Sequence, residues 1–405
     1  MKTLRHLILL LVATTSVACA SPSESQPVPD TASADLSEFS WRFYRQLAEA
    51  EDNLVFSPFS IASVFAMLSA GARGETLAEL REALGFSGED EAWHASQGAL
   101  LASLAALNRE GDDYRNAQAL GVANDLWLQR DFEVRQPFLD LLARHYDSAP
   151  RPLDFRADTE GSRKTINAKV AKDTADLIRE LLPEGSVTAD ARLVLTNALY
   201  FKGAWMHRFS ERATQPGDFH TLDDGTREVP MMRVTARFAY ADHDDWQAIS
   251  LPYDEGELDM LVLMPKSGRF RSVAGAIDAS TIATATASLS HTRVRLSFPK
   301  FNLRTSLALV PELRRGGMHR VFSDAAELDG IAGNLYVSAA VHQAVIEVDE
   351  QGTEAAAATA AVISVTSMPM QEPEPLEIRI DRPFLFVIRA QSTGAVLFVG
   401  QVLAP

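Results

Sequence analysis

Between positions 355 and 361 the chain carries six alanines and one threonine, and the β-branched residues Val362, Ile363, Val365 and Thr366 follow almost at once. Helix propensity alone would make the alanines a surface helix, or the stretch a simple linker. Gly352 just ahead of the run and the β-branched cluster behind it argue against both. Small residues followed by β-branched ones suit a strand that must enter a tight place in a sheet.

The remainder reads as a mixed α and β chain with large antiparallel sheets. Residues 60–71 place Ile61, Val64, Phe65 and Leu68 at helical spacing, with Pro58 ahead as a start signal. Residues 76–84 and 137–145 read as amphipathic helices, and residues 165–182 as another, stopped by Pro183 and Gly185. Residues 192–200 form a nearly unbroken apolar run, as a strand buried on both faces requires. Residues 229–240, 247–251 and 258–264 read as strands with Asp224-Gly225 and Glu255-Gly256 as turn signals; 384–390 and 395–402 flank the turn Ser392-Thr393-Gly394. No internal repeat or linker interrupts the chain after Leu36, so residues 36–405 form a single domain.

The charge balance, 38 basic against 54 acidic residues for a net −16, lacks the phosphate-neutralising footprint that nucleic-acid binding needs. No apolar run reaches the ~18 residues of a spanning helix. Lys2 and Arg5 precede an apolar stretch at 7–13 and the small-residue run TTSVACA, so residues 1–20 read as a secretory signal peptide. Val17-Ala18-Cys19 resembles the end of a bacterial lipobox, with Ser16 a poor match. Cys19 is thus either the lipidated first residue of the mature chain or a bystander to cleavage after Ala20. Both readings export the protein, to the periplasm or the cell exterior, with a membrane anchor in the lipidated case. Residues 21–35, rich in Ser and Pro, are expected to be a flexible tether.

A search for catalytic machinery returns little. G-x-S-x-G, H-E-x-x-H, the P-loop and G-x-G-x-x-G do not occur. One S-x-x-K, Ser297 to Lys300, lies in a strand pattern broken by Pro299, whereas a serine acylase needs it on a helix. The nine histidines show no metal-ligand spacing. Neither an enzyme nor a cofactor is expected.

The hinge EQGTEAAAAT at 350–359 resembles that of the serpins almost letter for letter. Further stretches resemble the same family in the same order: NLVFSPFSIASVFAMLSAGARGET at 53–76, LLPEGSVTADARLVLTNALYFKGAW at 181–205, FSDAAELDGI at 322–331, YVSAAVHQAVIEVDE at 336–350, DRPFLFVIR at 381–389 and LFVGQVLAP at 397–405. The resemblance implies an α+β serpin fold, with three β-sheets, eight or nine helices and an exposed reactive-centre loop at about 350–377. It also implies a monomeric suicide-substrate inhibitor. A serine protease cuts the loop, an acyl-enzyme forms, and the cut loop inserts as a new strand of the main sheet.

Insertion makes a demand on alternate residues, since strand side chains point to opposite faces. With Thr353 as the first inward position, Ala355, Ala357, Thr359, Ala361 and Ile363 follow on that face, all uncharged. Glu354, Ala356 and Ala358 fall on the other. Counting by the family's spacing from the hinge residue Glu350 sets the scissile bond at Thr366-Ser367, with Val365 and Met368 as alternatives. No Lys or Arg occurs between Thr353 and Glu377, which disfavours trypsin-like targets and favours elastase-like or subtilisin-like ones. Residues 369–375, rich in Pro, should extend the loop as polyproline II.

The resemblance further implies that Ser57, Ser60, Asn197 and His342 form a polar cluster beneath the middle of the main sheet, where two strands must part. Trp205, Lys300 and Glu350 fall in the upper region where the loop enters, with a Lys300–Glu350 pair expected. Ala168 departs from the family's N-x-W-V motif. The helix near 93–107 lacks basic residues, so no heparin-type cofactor is expected. A serpin fold that has lost inhibition, acting as a carrier or chaperone-like binder, is the competing reading.

Overall fold

The computed structural model describes residues 30–86, 90–108, 118–353 and 374–405. Among these, nine α-helices accompany two hydrogen-bonded β ladders of six and nine strands. The α+β architecture is the expected one. Of the three expected sheets, two share the long strand Thr226–Asp242, which pairs with Gln215–His220 and Ser290–Pro299 along its length and with Trp246–Pro252 at its end. Hydrogen bonding therefore counts two ladders rather than three.

The six-stranded sheet has the order Phe301–Ala308, Val337–Val348, Gly352–Thr353, Leu193–Ala204, Gln118–Gln129, Arg151–Leu153. Leu193 to Leu199 are all buried, in keeping with the unbroken apolar run. Helix Pro58–Ser69 packs beneath the sheet against Leu193–Ala204 and Gln118–Gln129, and all twelve of its residues are buried. Its start follows local chemistry: Ser57 is the N-cap, its Oγ accepting from the Ser60 amide at 3.0 Å, and Pro58 occupies the first turn, where its missing N–H has no partner to lose.

Two expectations need correction. Helix Asp30–Leu47 begins inside the segment 21–35 that composition assigned to a tether. Leu36, Phe39, Phe43 and Tyr44 bury one face of this helix, and once packed it propagates backward through polar residues with one bond gained per residue fixed. The helix expected over 165–182 runs instead over Thr159–Asp173. Asp158 caps its start by accepting from the Gly161 amide at 2.9 Å. It ends where Ala175 and Asp176 take left-handed backbone angles, φ 49 and 65. Asn167 then clamps the returning chain with hydrogen bonds of 2.9 Å to both the carbonyl and the amide of Leu182. Pro183 thus lies beyond a helix that has already stopped.

Candidate functional site

In the main sheet, Val337–Val348 and Leu193–Ala204 run parallel and pair directly from Val337 opposite Leu193 to Val345 opposite Tyr200. Above that the seam is open. Gly352–Thr353 sits there, antiparallel to both neighbours, with Thr353 opposite Val348 on one side and Gly203 on the other. Glycine is required at this point, because a Cβ on residue 352 would lie 2.0 Å from the Gly203 carbonyl oxygen.

One cross-strand row joins His342 to Asn197 and Asn197 to Asn124 across the middle of the seam. His342 and Asn197 are fully buried. The Ser57 amide donates to His342 Nε2 at 3.1 Å, so that nitrogen is unprotonated and the neutral ring carries its proton on Nδ1, facing the Asn197 amide oxygen. Burial pushes the His342 imidazole down to about 3, against its bond to Asn197. Asn197 Nδ2 in turn donates to Ser60 Oγ at 2.7 Å and to Asn124 Oδ1 at 2.6 Å, and Ser60 Oγ donates to Asn124 Oδ1 at 2.8 Å. The network ties the two central strands to the N-terminal turn of the helix below. With every member satisfied it stabilises the closed seam. Ser57, Ser60, Asn197 and His342 are thus brought together, and Asn124 is a fifth member that the sequence did not announce.

The upper end is built around the turn that leads from Val337–Val348 into Gly352–Thr353. Trp205 donates its indole N–H to the Asp349 carbonyl and its amide to the Gln351 carbonyl, each at 2.9 Å. Lys300 Nζ lies 2.7 Å from Glu350 Oε2, and Thr214 donates to Glu350 Oε1 at 2.7 Å. Burial works against the Glu350 carboxylate, but the bonds from Lys300 and Thr214 outweigh it and hold the group below its ordinary range. The neighbouring Asp349 is raised by burial despite accepting from the amides of Gln351 and Gly352. Thr353 is fully buried with its hydroxyl against that of Tyr253. Tyr253 stacks on Trp205 with ring centres 4.6 Å apart. The pair Lys300–Glu350 is present, while Thr214 and Tyr253 went unnoticed in the sequence.

The hinge residues Glu354, Ala355, Ala356, Ala357, Ala358 and Thr359 lie outside the described residues. So do the bait candidates Val365, Thr366, Ser367 and Met368, and Cys19. Among the described residues no group of His, Cys, Asp and Glu is disposed to hold a metal, and no helix is long and apolar enough to cross a membrane.

A six-stranded main sheet whose two central parallel strands are joined by a buried polar network, with Gly352–Thr353 seated between them at one end, defines the class of fold. The chain belongs to the serpin family: the family of serpins (serine protease inhibitors) matches residues 34–405. It is 36% identical to an uncharacterized serpin-like protein of Thermococcus kodakarensis over 91% of this chain and 85% of that one. It is 34% identical to plasminogen activator inhibitor 1 of Bos taurus over 93% of this chain and 94% of that one. The leukocyte elastase inhibitor of Bos taurus is also 34% identical, over 87% of this chain and 93% of its own. Among solved structures, uncleaved ovalbumin superposes with a TM-score of 0.81 at 26% identity, covering 93% of this chain and all of that one.

Proposed function

We propose that this serpin is an inhibitory one, a suicide substrate for serine proteases. The protease serine Oγ attacks the carbonyl carbon of Thr366, the Thr366–Ser367 peptide bond breaks, and the amine of Ser367 departs with the transferred proton. An ester then links protease and inhibitor. The freed strand enters the seam from Thr353 downward, parting Val337–Val348 from Leu193–Ala204 and carrying the esterified protease with it. A fully inserted stretch of ~15 residues at about 3.3 Å each would move the ester by ~50 Å.

The observation that supports this reading is the half-opened seam. Gly352–Thr353 already occupies the inserting position at one end, while the rest of the seam stays paired and latched. The uncharged, mostly small residues at 355, 357, 359, 361 and 363 suit continued entry. An elastase-like or subtilisin-like target fits the apolar and β-branched residues around Thr366. The same reading makes the chain an exported monomer that works without cofactor, heparin or nucleic acid. It is either held to a membrane through Cys19 or released by cleavage after Ala20.

The test is incubation with elastase and subtilisin. An SDS-stable complex, a released C-terminal peptide beginning at Ser367, and a large rise in the melting temperature of nicked protein are expected. Cleavage with neither complex nor stabilisation would instead assign the fold to a non-inhibitory binding role.

A further inference from the structure

Against a net charge of −16, the outer face of one part of the nine-stranded ladder is strongly basic. Strands Thr226–Asp242, Ser290–Pro299 and Leu376–Arg379 are neighbours there. Their inner faces bury Phe238, Val294, Leu296 and Ile378. Their outer faces carry Arg233, Arg237, Arg293, Arg295 and Arg379, all exposed. Register fixes how close these charges lie. Arg237 is directly opposite Arg293, and Arg295 is two residues further along the same strand. Arg379 follows on the third strand; Glu377, directly opposite Arg295, is the one acid within the stretches 233–239, 291–297 and 376–379, and Glu228 and Asp242 stand exposed at the two ends of the long strand. Glu377 is paired with Arg379 at 3.5 Å, and Arg233 is bonded to Gln215 at 2.8 Å.

Like charges directly opposed across a pair of strands are in themselves unfavourable. Folding does not call for this arrangement, since polar neutral residues would serve the solvent face as well. The position of the cluster offers a reason. Leu376–Arg379 is the first described strand after the proposed bait segment, and in sequence Glu377 stands ten positions after Ser367.

Resting on the inhibitory reading above, we infer that this arginine face is a docking surface for the attacking protease, and that its occupant is an acidic rim beside the protease active site. The attraction acts before any bond is broken. It raises the rate of encounter and orients the protease toward the bait, and it leaves the events after acylation untouched.

The test is the second-order rate of loop cleavage, read by release of the C-terminal peptide. This rate is defined whether the protease is trapped or turns over. Two elastase-like proteases are used, one of acidic and one of basic isoelectric point. With the acidic protease, Arg237→Ser combined with Arg295→Ser is expected to slow attack about tenfold at low salt and to flatten its salt dependence. With the basic protease the same variant should be neutral or slightly faster. A control that removes equal charge elsewhere, Arg130→Ser with Lys164→Ser, should match the parent.

Equal rates and equal salt slopes for parent and double variant overturn the inference. So does acceleration of attack by dextran sulfate that disappears in the double variant, because the face would then serve a polysaccharide. Loss of SDS-stable complex in the parent itself bears on the inhibitory reading and leaves the comparison of cleavage rates intact.

Discussion

The phenol oxygen of Tyr253 lies 2.7 Å from the hydroxyl of Thr353, and both side chains are fully buried. Through this contact the last described hinge residue is fastened to the top of the main sheet before any cut is made. Replacing Tyr253 by Phe leaves the Thr353 hydroxyl without its partner, at a cost of about 1–3 kcal/mol. Calorimetry on the intact chain should show a lower melting temperature. Thr353→Arg goes further, since a charge cannot sit unpaired at this fully buried position. That variant should be cut at the parent's rate yet release the protease, and a gel in which complex persists at the parent's level would contradict the account.

Lys300 and Thr214 hold the Glu350 carboxylate at the base of the hinge. Lys300→Met strands a mostly buried charge, which costs between the exposed and fully buried limits, about 1–3 kcal/mol. The acid limb carries a sign as well. Because the folded carboxyl titrates below its ordinary value, its contribution is complete above the unfolded value and is lost as pH falls through the folded one. Denaturant titrations at falling pH should therefore narrow the gap between parent and Lys300→Met, and a gap that stays constant with pH would refute the pairing energy.

The His342 ring works at a higher pH. Burial holds it down to about 3, so its stabilising contribution is full above the ordinary value of 6.5 and is lost progressively as pH falls. Between pH 7.5 and 5 this one ring should remove about 2 kcal/mol of unfolding free energy. His94, likewise pushed down by burial to about 4, adds to the same slope. The informative quantity is thus the difference between parent and His342→Gln, whose stability should fall less steeply with acid. Identical slopes would remove His342 from the explanation.

Specificity should be portable. Thr366→Arg places a basic residue where the bait is proposed, and it should convert the chain into a trap for trypsin with loss of at least tenfold in the rate toward elastase. Peptide mass spectrometry should still find the cut after residue 366. A cut elsewhere would move the bait.

The legibility of the fold in the sequence was uneven, for physical reasons. The strands buried on both faces announced themselves as apolar runs, and Leu193–Ala204 was read to within a few residues. The helix at Pro58 was equally plain because its cap and its proline are local signals. The helix ending at Asp173 was misplaced because its termination lies in two left-handed residues and in Asn167, which bonds to a residue far along the chain. In the site, four latch residues came from family resemblance rather than from any local pattern. Asn124 escaped notice because its role exists only through cross-strand register with Asn197. Tyr253 likewise meets Thr353 from a hundred positions away. Contacts set by register and by sheet closure leave no trace in a short window of sequence.

The interior seam between Val337–Val348 and Leu193–Ala204 is parallel, whereas the strands flanking it on both sides, Phe301–Ala308 and Gln118–Gln129, are joined to it antiparallel. Parallel pairing is the slightly weaker kind. A newcomer running the opposite way replaces that single weak ladder by two stronger ones, and nothing in backbone pairing asks which molecule it belongs to. Warm, concentrated solutions should therefore give end-to-end chains of this protein, each copy threading its neighbour.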